Sequence, residues 1–188
     1  MRTAYHHGNL REALLSVARE QLAANPGTEL SLRELARLIG VSPHAPYRHF
    51  PGKDGVREAL AAQGYRELTR AAEEAANTDR PLHVLAHEFA RIAAMEPGLL
   101  RLTIEHDFTG ATADGEAALA RDEWFAALVA VVEAAGGKPA STVYRKAAAV
   151  WAVLLGVARL RSHGAVGLLE GPLLPDAGEL AELVAGVR

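Results

Sequence analysis

Apolar residues recur at helical spacing along the whole chain, and no stretch shows the sustained two-residue alternation of a half-buried strand. The first stripe predicts a helix that ends at Asn25-Pro26-Gly27, because proline cannot continue a helix and glycine accepts a positive φ. Its apolar positions are Leu10, Leu14, Val17, Ala18 and Leu22. The pattern predicts an all-α protein.

A short second helix follows, and its start is marked by Ser31 and Glu34. This spacing is typical of a capping box, in which the hydroxyl and the carboxylate each satisfy a free backbone N–H. The expected buried face consists of Leu32, Leu35, Ala36 and Ile39. Gly40 fits the left-handed position after the helix, and Val41 is expected to enter the core.

A third helix, about two turns long, is predicted to start at Ser42-Pro43, with serine as the cap and proline at the first helical position. Only Gly40-Val41 separates it from the second helix, which is the tight turn of a helix-turn-helix. Phe50 is the expected core anchor before Pro51-Gly52 ends the helix. Pro46 removes the first intrahelical hydrogen bond, so an irregular or late start is expected.

The rest of the chain also has helical periodicity. A long fourth helix is predicted from Lys53 towards Asn77, with Val56, Leu60, Gly64 or Tyr65, and Leu68 inside. Punctuation by Gly, Pro and Asp predicts further helices over Pro81 to Met95, Pro97 to Glu105, Ala113 to Ala135, Pro139 to His163 and Asp176 to Val187. We therefore expect a helix-turn-helix head over residues 1–53 and a helical effector-binding and dimerisation domain over residues 54–188.

The stretch Ala147–Ala158 is apolar without interruption. It is far shorter than the roughly 20 residues of a membrane span, so a buried helix is expected and no membrane partner. A helix that is apolar all round needs cover on every side, which a second subunit would supply in so small a chain. Ala148, Ala152 and Gly156 form a strip of small residues for helix approach, or simply reflect the high alanine content. We expect a homodimer.

Composition limits the classes of function. The 188 residues include no Cys, so no disulfide or thiolate chemistry is available. The polar stretch Met1 to Asn9 has no apolar signal segment, and a cytoplasmic protein is expected. The overall charge of −3 divides into +3 over Met1 to Lys53 and −6 over the remainder, and four of the eight His also lie in the first part. A basic head on an acidic body suits contact with a polyanion at one end.

The most informative segment is VSPHAPYRHFPGK, over Val41–Lys53. Together with the preceding LSLRELARLIG it resembles the DNA-binding head of the TetR family, and the YHHGNLREALL start is similar to one branch of that family. WAVLLG at Trp151–Gly156 is similar to the W-x-x-x-H-G pattern of a subgroup, with Leu155 in place of His. The resemblance implies a transcriptional regulator, a repressor released from palindromic operator DNA by a small, mostly apolar effector, without enzymatic activity or cofactor.

The third helix exposes hydrogen-bond donors and flat rings that a self-contained core does not need. The resemblance implies phosphate contacts for Tyr47, His49 and Lys53, and a helix end facing phosphate at Ser31. It brings Arg33, Pro43, His44, Ala45 and Arg48 near bases. Either arginine is also explained as a solvated surface charge. The candidate DNA-binding residues are Ser31, Arg33, Ser42, Pro43, His44, Ala45, Tyr47, Arg48, His49 and Lys53.

The resemblance also implies an effector pocket. By amphipathic phase, its candidate wall residues are Phe89, Met95, Leu102, His106, Trp124, Phe125, Trp151 and Leu155, although ordinary core packing explains them equally well. His83 and His87, with Glu88, have the spacing of metal ligands on one helical face, but no third ligand follows in sequence. We expect no metal there.

Two other functions compete with a ligand-gated repressor. An enzyme on a helical bundle would show paired inward carboxylates, a nucleophile with its base, or a phosphate loop, and Gly136-Gly137 lacks the strand and helix context of such a loop. A DNA-binding protein that senses no ligand differs only in whether its body binds a small molecule. Thermal shifts against a panel of metabolites would separate these two regulators.

Overall fold

The computed structural model describes residues 10–106, 114–136, 140–162 and 177–186. Within these ranges the protein is all-α, as predicted, and contains no strand. In chain order the helices are α1 (Leu10–Ala24), α2 (Leu32–Ile39), a 3-10 helix (Ala45–Arg48), α3 (Lys53–Ala76), α4 (Pro81–Met95), α5 (Pro97–His106), α6 (Glu116–Ala134), α7 (Ala140–Ser162) and α8 (Ala177–Ala185).

The helix bounds follow the Pro and Gly punctuation closely. α4 spans the predicted Pro81 to Met95, and α5 ends one residue beyond the predicted Glu105. The segment YHHGN that opens the resemblance lies outside the described residues. So do the predicted helix ends Ala113, Pro139, His163, Asp176 and Val187.

The end of α2 has the predicted left-handed glycine. Gly40 has φ 76° and ψ 29°, its N–H donates to the Arg37 carbonyl, and the Val41 N–H donates to the Ala36 carbonyl at 3.0 Å. These are the two hydrogen bonds of a Schellman motif. Val41 is only half-buried, less than expected.

The predicted capping box at the start of α2 is wrong. Ser31 has the extended backbone of an N-cap, but its side chain makes no cap hydrogen bond. The Glu34 carboxylate turns away from the helix start, because the Arg37 guanidinium donates two hydrogen bonds to it, at 2.8 and 2.6 Å. An ion pair along the helix has replaced the reciprocal cap.

The predicted two-turn third helix is also wrong in form. The segment is a 3-10 helix of four residues, Ala45–Arg48, and its N-cap is His44 rather than Ser42. Ser42-Pro43 precedes it in a turn, where the Ala45 N–H donates to the Ser42 carbonyl at 3.0 Å. Pro46 is the reason: with no N–H it cannot continue an α-helical ladder from this turn, but it is tolerated in a first turn.

The described residues pack into two compact units, which do not divide at residue 53. The first takes in Met1–Gly64 and Glu96–Leu119, and the second Tyr65–Met95 and Ala120–Arg188. In the first unit α1 packs against α2, the 3-10 helix and α5. The first unit therefore contains α5, which lies well beyond the predicted head.

Close contacts fix α5 within the first unit. A Cβ added at Gly98 would lie 2.3 Å from the Leu22 carbonyl oxygen, and one at Gly64 would lie 2.0 Å from Thr103 Oγ1. The Arg19 guanidinium pairs with the Glu96 carboxylate just before α5. Both glycines are therefore required for close packing, one of α5 on α1 and the other of α3 on α5.

In the second unit α4 packs against α7 and α8, and α7 against α8. A Cβ at Gly178 would lie 2.5 Å from His83 Nδ1, so α8 lies directly on that imidazole.

The apolar helix α7 is only partly covered. Ala147, Val150 and Leu154 are buried, whereas Ala148 and Gly156 are exposed within one chain. No described helix is long and apolar enough to cross a membrane.

Candidate nucleic-acid interface

Residues from α2 and the 3-10 segment line one shallow groove in the first unit. Its lining residues are Arg33, Pro43, His44 and Tyr47, and its volume is about 440 Å³. All four were predicted from sequence as DNA contacts. Tyr47 is 51% exposed, which is unusual for so large a ring. The groove thus offers a cation, an imidazole and a phenol to a ligand outside the chain.

The 3-10 geometry determines which of these side chains share a face. With three residues per turn, side chains three positions apart eclipse each other. His44 and Tyr47 therefore lie along one edge and Ala45 and Arg48 along the next. Pro46 is buried and turns the remaining edge towards the core. The two outward edges carry every ring and cation of the segment.

The end of the segment is anchored by Phe50, which is 2% exposed as predicted. The Arg11 guanidinium of α1 lies 5.5 Å from the centroid of this ring. It also donates a hydrogen bond of 2.7 Å to the carboxylate of Glu116, the first residue of α6. The stacking of Arg11 on Phe50 holds the end of the 3-10 segment against α1. Arg11 was not predicted from sequence, since nothing local relates it to Phe50 or Glu116.

The other predicted contacts surround the groove on exposed positions. Lys53, at the start of α3, has its Nζ 3.9 Å from the Glu29 carboxylate, and both side chains are more than half exposed. This is a loose ion pair of little energetic weight. Glu29 was also missed, although it is the nearest acidic neighbour of a predicted phosphate contact. The exposed positions are Ser31, Ser42, Arg48 and His49, whereas Ala45 is half-buried.

The Glu34 and Arg37 pair lies on the same helix as Arg33. The hydrogen bond from Arg37 lowers the pKa of Glu34, and the pKa of Arg37 is raised by the same contact. Glu34 therefore stays ionised, and it neutralises Arg37 while Arg33 remains exposed.

The predicted effector residues do not form a single cluster. Phe89, Trp124 and Trp151 lie together in the second unit: the Trp151 ring is 5.7 Å from Phe89 and 5.2 Å from Trp124, both edge to face. Leu102 and His106 belong to the first unit.

The other three wall candidates, Met95, Phe125 and Leu155, also belong to the second unit. Phe125 lies beside Tyr144, with ring centroids 6.3 Å apart. Met95, at the end of α4, is 64% exposed. Leu155 is half-buried. Three of the eight wall residues thus meet, and they define the aromatic cluster Phe89, Trp124 and Trp151.

The two histidines of α4 lie in different surroundings. His83 is covered by Gly178, while His87 is 77% exposed and faces Glu88 at 3.5 Å. Glu88 accepts a hydrogen bond from Arg91, which lowers the pKa of Glu88. Among the described residues no group of three or more His, Asp or Glu could hold a metal.

Two family models match the chain. The model for bacterial regulatory proteins of the tetR family matches residues 14–60, and that for the tetracyclin repressor-like C-terminal domain matches residues 82–185. A protein of unknown function from Rhodococcus sp. RHA1 is 30% identical with a TM-score of 0.74, over 98% of this chain and 95% of that one.

Other relatives match less completely. The nucleoid occlusion factor SlmA of Aliivibrio fischeri is 30% identical over 103 residues, which are 52% of this chain and 53% of the relative. The chain spans about half the length of the curated relatives it matches. SmeT, the repressor of the Stenotrophomonas maltophilia multidrug efflux pump SmeDEF, shares the fold at 20% identity and a TM-score of 0.56, over 93% of this chain and 86% of SmeT, and it has been solved in complex with triclosan.

The C-terminal model covers more than half of the chain, and the N-terminal model covers the segment that carries the groove. The chain therefore belongs to the TetR family of bacterial regulatory proteins.

Proposed function

We propose that the protein is a homodimeric repressor, released from a two-fold operator by a small, mostly apolar effector. The groove between α2 and the 3-10 segment carries this proposal. It gathers Arg33, His44 and Tyr47 on one exposed surface, while Phe50 and Pro46 fix the segment from beneath. A rigid convex turn with exposed donors on two edges suits insertion into a major groove.

The two edges of the segment take different parts in this proposal. Tyr47, His49 and Lys53 donate to phosphates and set the position of the head on the duplex. Arg48 and Arg33 read base edges, each suited to the two acceptors of a guanine. Ser31 brings the start of α2 to a phosphate, where its free N–H groups favour an anion. Ser42, Pro43 and Ala45 complete the contact surface.

The experiment is a binding series on duplexes selected from a random pool and on random-sequence DNA. Tyr47→Phe and Lys53→Ala should weaken binding to both alike, and Lys53→Ala should also lower the salt slope by about 1. Arg48→Ala should cost about 1–3 kcal/mol on the selected duplex and relax preference at one base pair of each half-site. The control is Arg70→Ala, at an exposed position of α3 outside the groove. It should change neither the affinity for DNA nor the sequence preference.

Two results would contradict the assigned roles. A changed sequence preference in Tyr47→Phe or Lys53→Ala would reject the phosphate role. Equal losses on selected and random DNA would demote Arg48 to a backbone contact.

The exposed face of α7 supports the homodimer. Ala148, Ala152 and Gly156 recur at every fourth position, and a Cβ on Gly156 would meet nothing within 4 Å in one chain. Small residues at this spacing let two helices approach closely, and a two-fold pair would cover the strip on both subunits. Such a dimer carries two heads, which need half-sites about 34–36 Å apart or a multiple of this.

Sedimentation at micromolar concentration should give a species of twice 20.0 kDa. Ala152→Arg should reduce it to the monomer, whereas Ala23→Arg, on an exposed position of α1, should leave it unchanged. A wild-type protein that sediments only as the monomer would exclude the dimer.

The aromatic cluster is the effector site in this proposal. Phe89 and Trp124 are buried, Trp151 is half-buried, and edge-to-face rings suit an apolar or partly aromatic molecule. Triclosan, bound by SmeT, is such a molecule. Helix α3 is continuous from the first unit, where it starts at Lys53, into the second, so a shift of α3 in the body changes the head.

A useful switch needs about 1–3 kcal/mol of coupling between effector and operator, and the coupling must be reciprocal. A metabolite panel screened by thermal shift identifies a ligand, which is then titrated by Trp fluorescence with and without operator DNA. Operator should weaken effector binding by the factor by which effector weakens operator binding. Identical affinities in both titrations would leave a DNA-binding protein that senses no ligand.

A further inference from the structure

One polar atom of the aromatic cluster has no partner. Trp124 is 1% exposed, and its indole Nε1 is fully buried with no acceptor among the described residues. An indole N–H is a donor only, and it loses its bond to water when it is buried. Buried donors are almost always satisfied, so this N–H calls for an acceptor that the described residues do not supply, either an ordered water or a bound molecule.

The surroundings of Trp124 limit the chemistry of that group. The Trp151 ring meets Trp124 at 65° and Phe89 at 84°. The three rings together offer a large apolar surface, and of their two indole N–H donors Trp124 Nε1 is the one that is buried without an acceptor among the described residues. A neutral acceptor satisfies one neutral N–H, whereas a carboxylate would bring a charge whose burial costs far more than one such bond returns.

We propose that the effector is an apolar molecule with a neutral oxygen acceptor, a carbonyl or ether, which accepts a hydrogen bond from Trp124 Nε1 while its apolar part packs on Phe89 and Trp151. This inference rests on the proposed effector role of the aromatic cluster and adds the functional group that the site selects. Trp124 is the specificity-determining residue and Trp151 the apolar wall.

The experiment uses three probes of similar size: acetophenone, which has a neutral acceptor, ethylbenzene, which has none, and benzoate, which is charged. The full-length protein is labelled with nitrogen-15, and its two Trp indole signals are assigned from a Trp151→Phe variant. Acetophenone should move the Trp124 indole proton downfield and slow its exchange with solvent. It should bind about fivefold more tightly than ethylbenzene, the factor that one hydrogen bond of roughly average strength supplies, and also more tightly than benzoate, whose charge is costly to bury.

Trp124→Phe is the matched variant, because it keeps an aromatic ring and removes the donor. In this variant the ratio of the affinities for acetophenone and ethylbenzene should fall to about one. If this variant does not fold, the indole shift and the exchange rate in the wild-type protein still decide. Equal binding of acetophenone and ethylbenzene, a preference for benzoate, an unmoved Trp124 signal, or no binding of any probe would each overturn the inference.

The same titrations separate this inference from the proposed function. If acetophenone binds through Trp124 but leaves operator affinity unchanged, the acceptor site stands and the effector role fails. If another ligand releases the operator without moving the Trp124 signal, the effector role stands and the acceptor site fails.

Discussion

Gly64→Ala tests how closely α3 and α5 pack in the first unit. A Cβ at this position would lie 2.0 Å from Thr103 Oγ1, 3.1 Å from its Cβ and 3.2 Å from its Cγ2. The helices must separate by roughly 1 Å, and such overpacking costs about 3 kcal/mol at the upper end of the known range. Alanine returns about 1 kcal/mol of helix propensity. The unfolding free energy should therefore fall by about 2 kcal/mol, and Tm by roughly 4–8 °C.

A double-mutant cycle with Thr103→Ala isolates the contact. Thr103→Ala alone removes a buried methyl group and the hydrogen bond of 2.8 Å from Oγ1 to the Leu99 carbonyl, at a cost of about 2 kcal/mol. In the double variant Thr103 Oγ1 and Cγ2, which clash with the added Cβ, are gone, and the gain in helix propensity from alanine at position 64 remains. It should therefore be at least about 2 kcal/mol more stable than the sum of the single changes predicts.

Urea unfolding measures the unfolding free energy of the wild-type protein, the two single variants and the double variant. All four are compared at one protein concentration, because association changes the apparent stability. Gly27→Ala is the control, since a Cβ at this exposed position would meet only Asn25 Oδ1 at 3.5 Å, an ordinary van der Waals distance, and the unfolding free energy should stay about the same. Close packing of α3 on α5 would be refuted by a higher unfolding free energy in Gly64→Ala, or by two single changes that add to within about 0.5 kcal/mol.

Three further predictions concern the head. Gly40→Ala places a Cβ at φ 76° and should lower the unfolding free energy by about 1–2 kcal/mol; an unchanged urea midpoint would contradict it. The hydrogen bond from Arg37 lowers the pKa of Glu34 below its ordinary value of 4.5. The ion pair therefore stabilises α2 fully at pH values above 4.5, and this stabilisation is lost as the pH falls through the lower pKa of the folded state. The midpoint of an NMR titration of the Glu34 carboxyl should move towards 4.5 in the Arg37→Gln variant. Identical midpoints in the variant and the wild-type protein would exclude the pairing. Glu29→Gln should free Lys53 and tighten binding to all duplexes by less than about fivefold, the scale of an exposed pair, and the gain should vanish in a Lys53→Ala background; weaker binding would reverse this interpretation.

Local signals in the sequence were sufficient for the helices. Proline and glycine interrupt the periodic stripes, so the ends of α1 and α4 were predicted to within a residue or two. His44 and Tyr47 of the groove were also predictable, because exposed rings in the predicted third helix have no role in a core, whereas Arg33 on α2 was predicted only from the family resemblance.

Choices between competing partners were not predictable in the same way. Glu34 was free to cap α2 or to pair with Arg37, and both partners lie within one turn. The irregularity at Pro46 was foreseen, but its outcome as a single 3-10 turn depends on the packing beneath the segment. Amphipathic phase brought Phe89, Trp124 and Trp151 together, yet it also selected Met95, which the end of α4 leaves exposed.

Long-range pairs left no trace in the sequence. Arg11 meets Glu116, 105 positions away, and Gly64 meets Thr103 across two helices. The first joins α1 to α6 and the second joins α3 to α5, so no local pattern encodes either contact. They explain why the first compact unit extends beyond residue 53.

The discontinuous first unit limits how this regulator can be recombined with its relatives. Its sequence is held in two stretches, Met1–Gly64 and Glu96–Leu119, with α4 of the other unit between them. A chimera that exchanged only the first stretch would set a foreign α1 against a native α5, at a surface where Leu22 and Gly98 fit with no spare space. Transplanting the proposed DNA-binding surface of this protein therefore means moving both stretches, or grafting only the side chains of the groove.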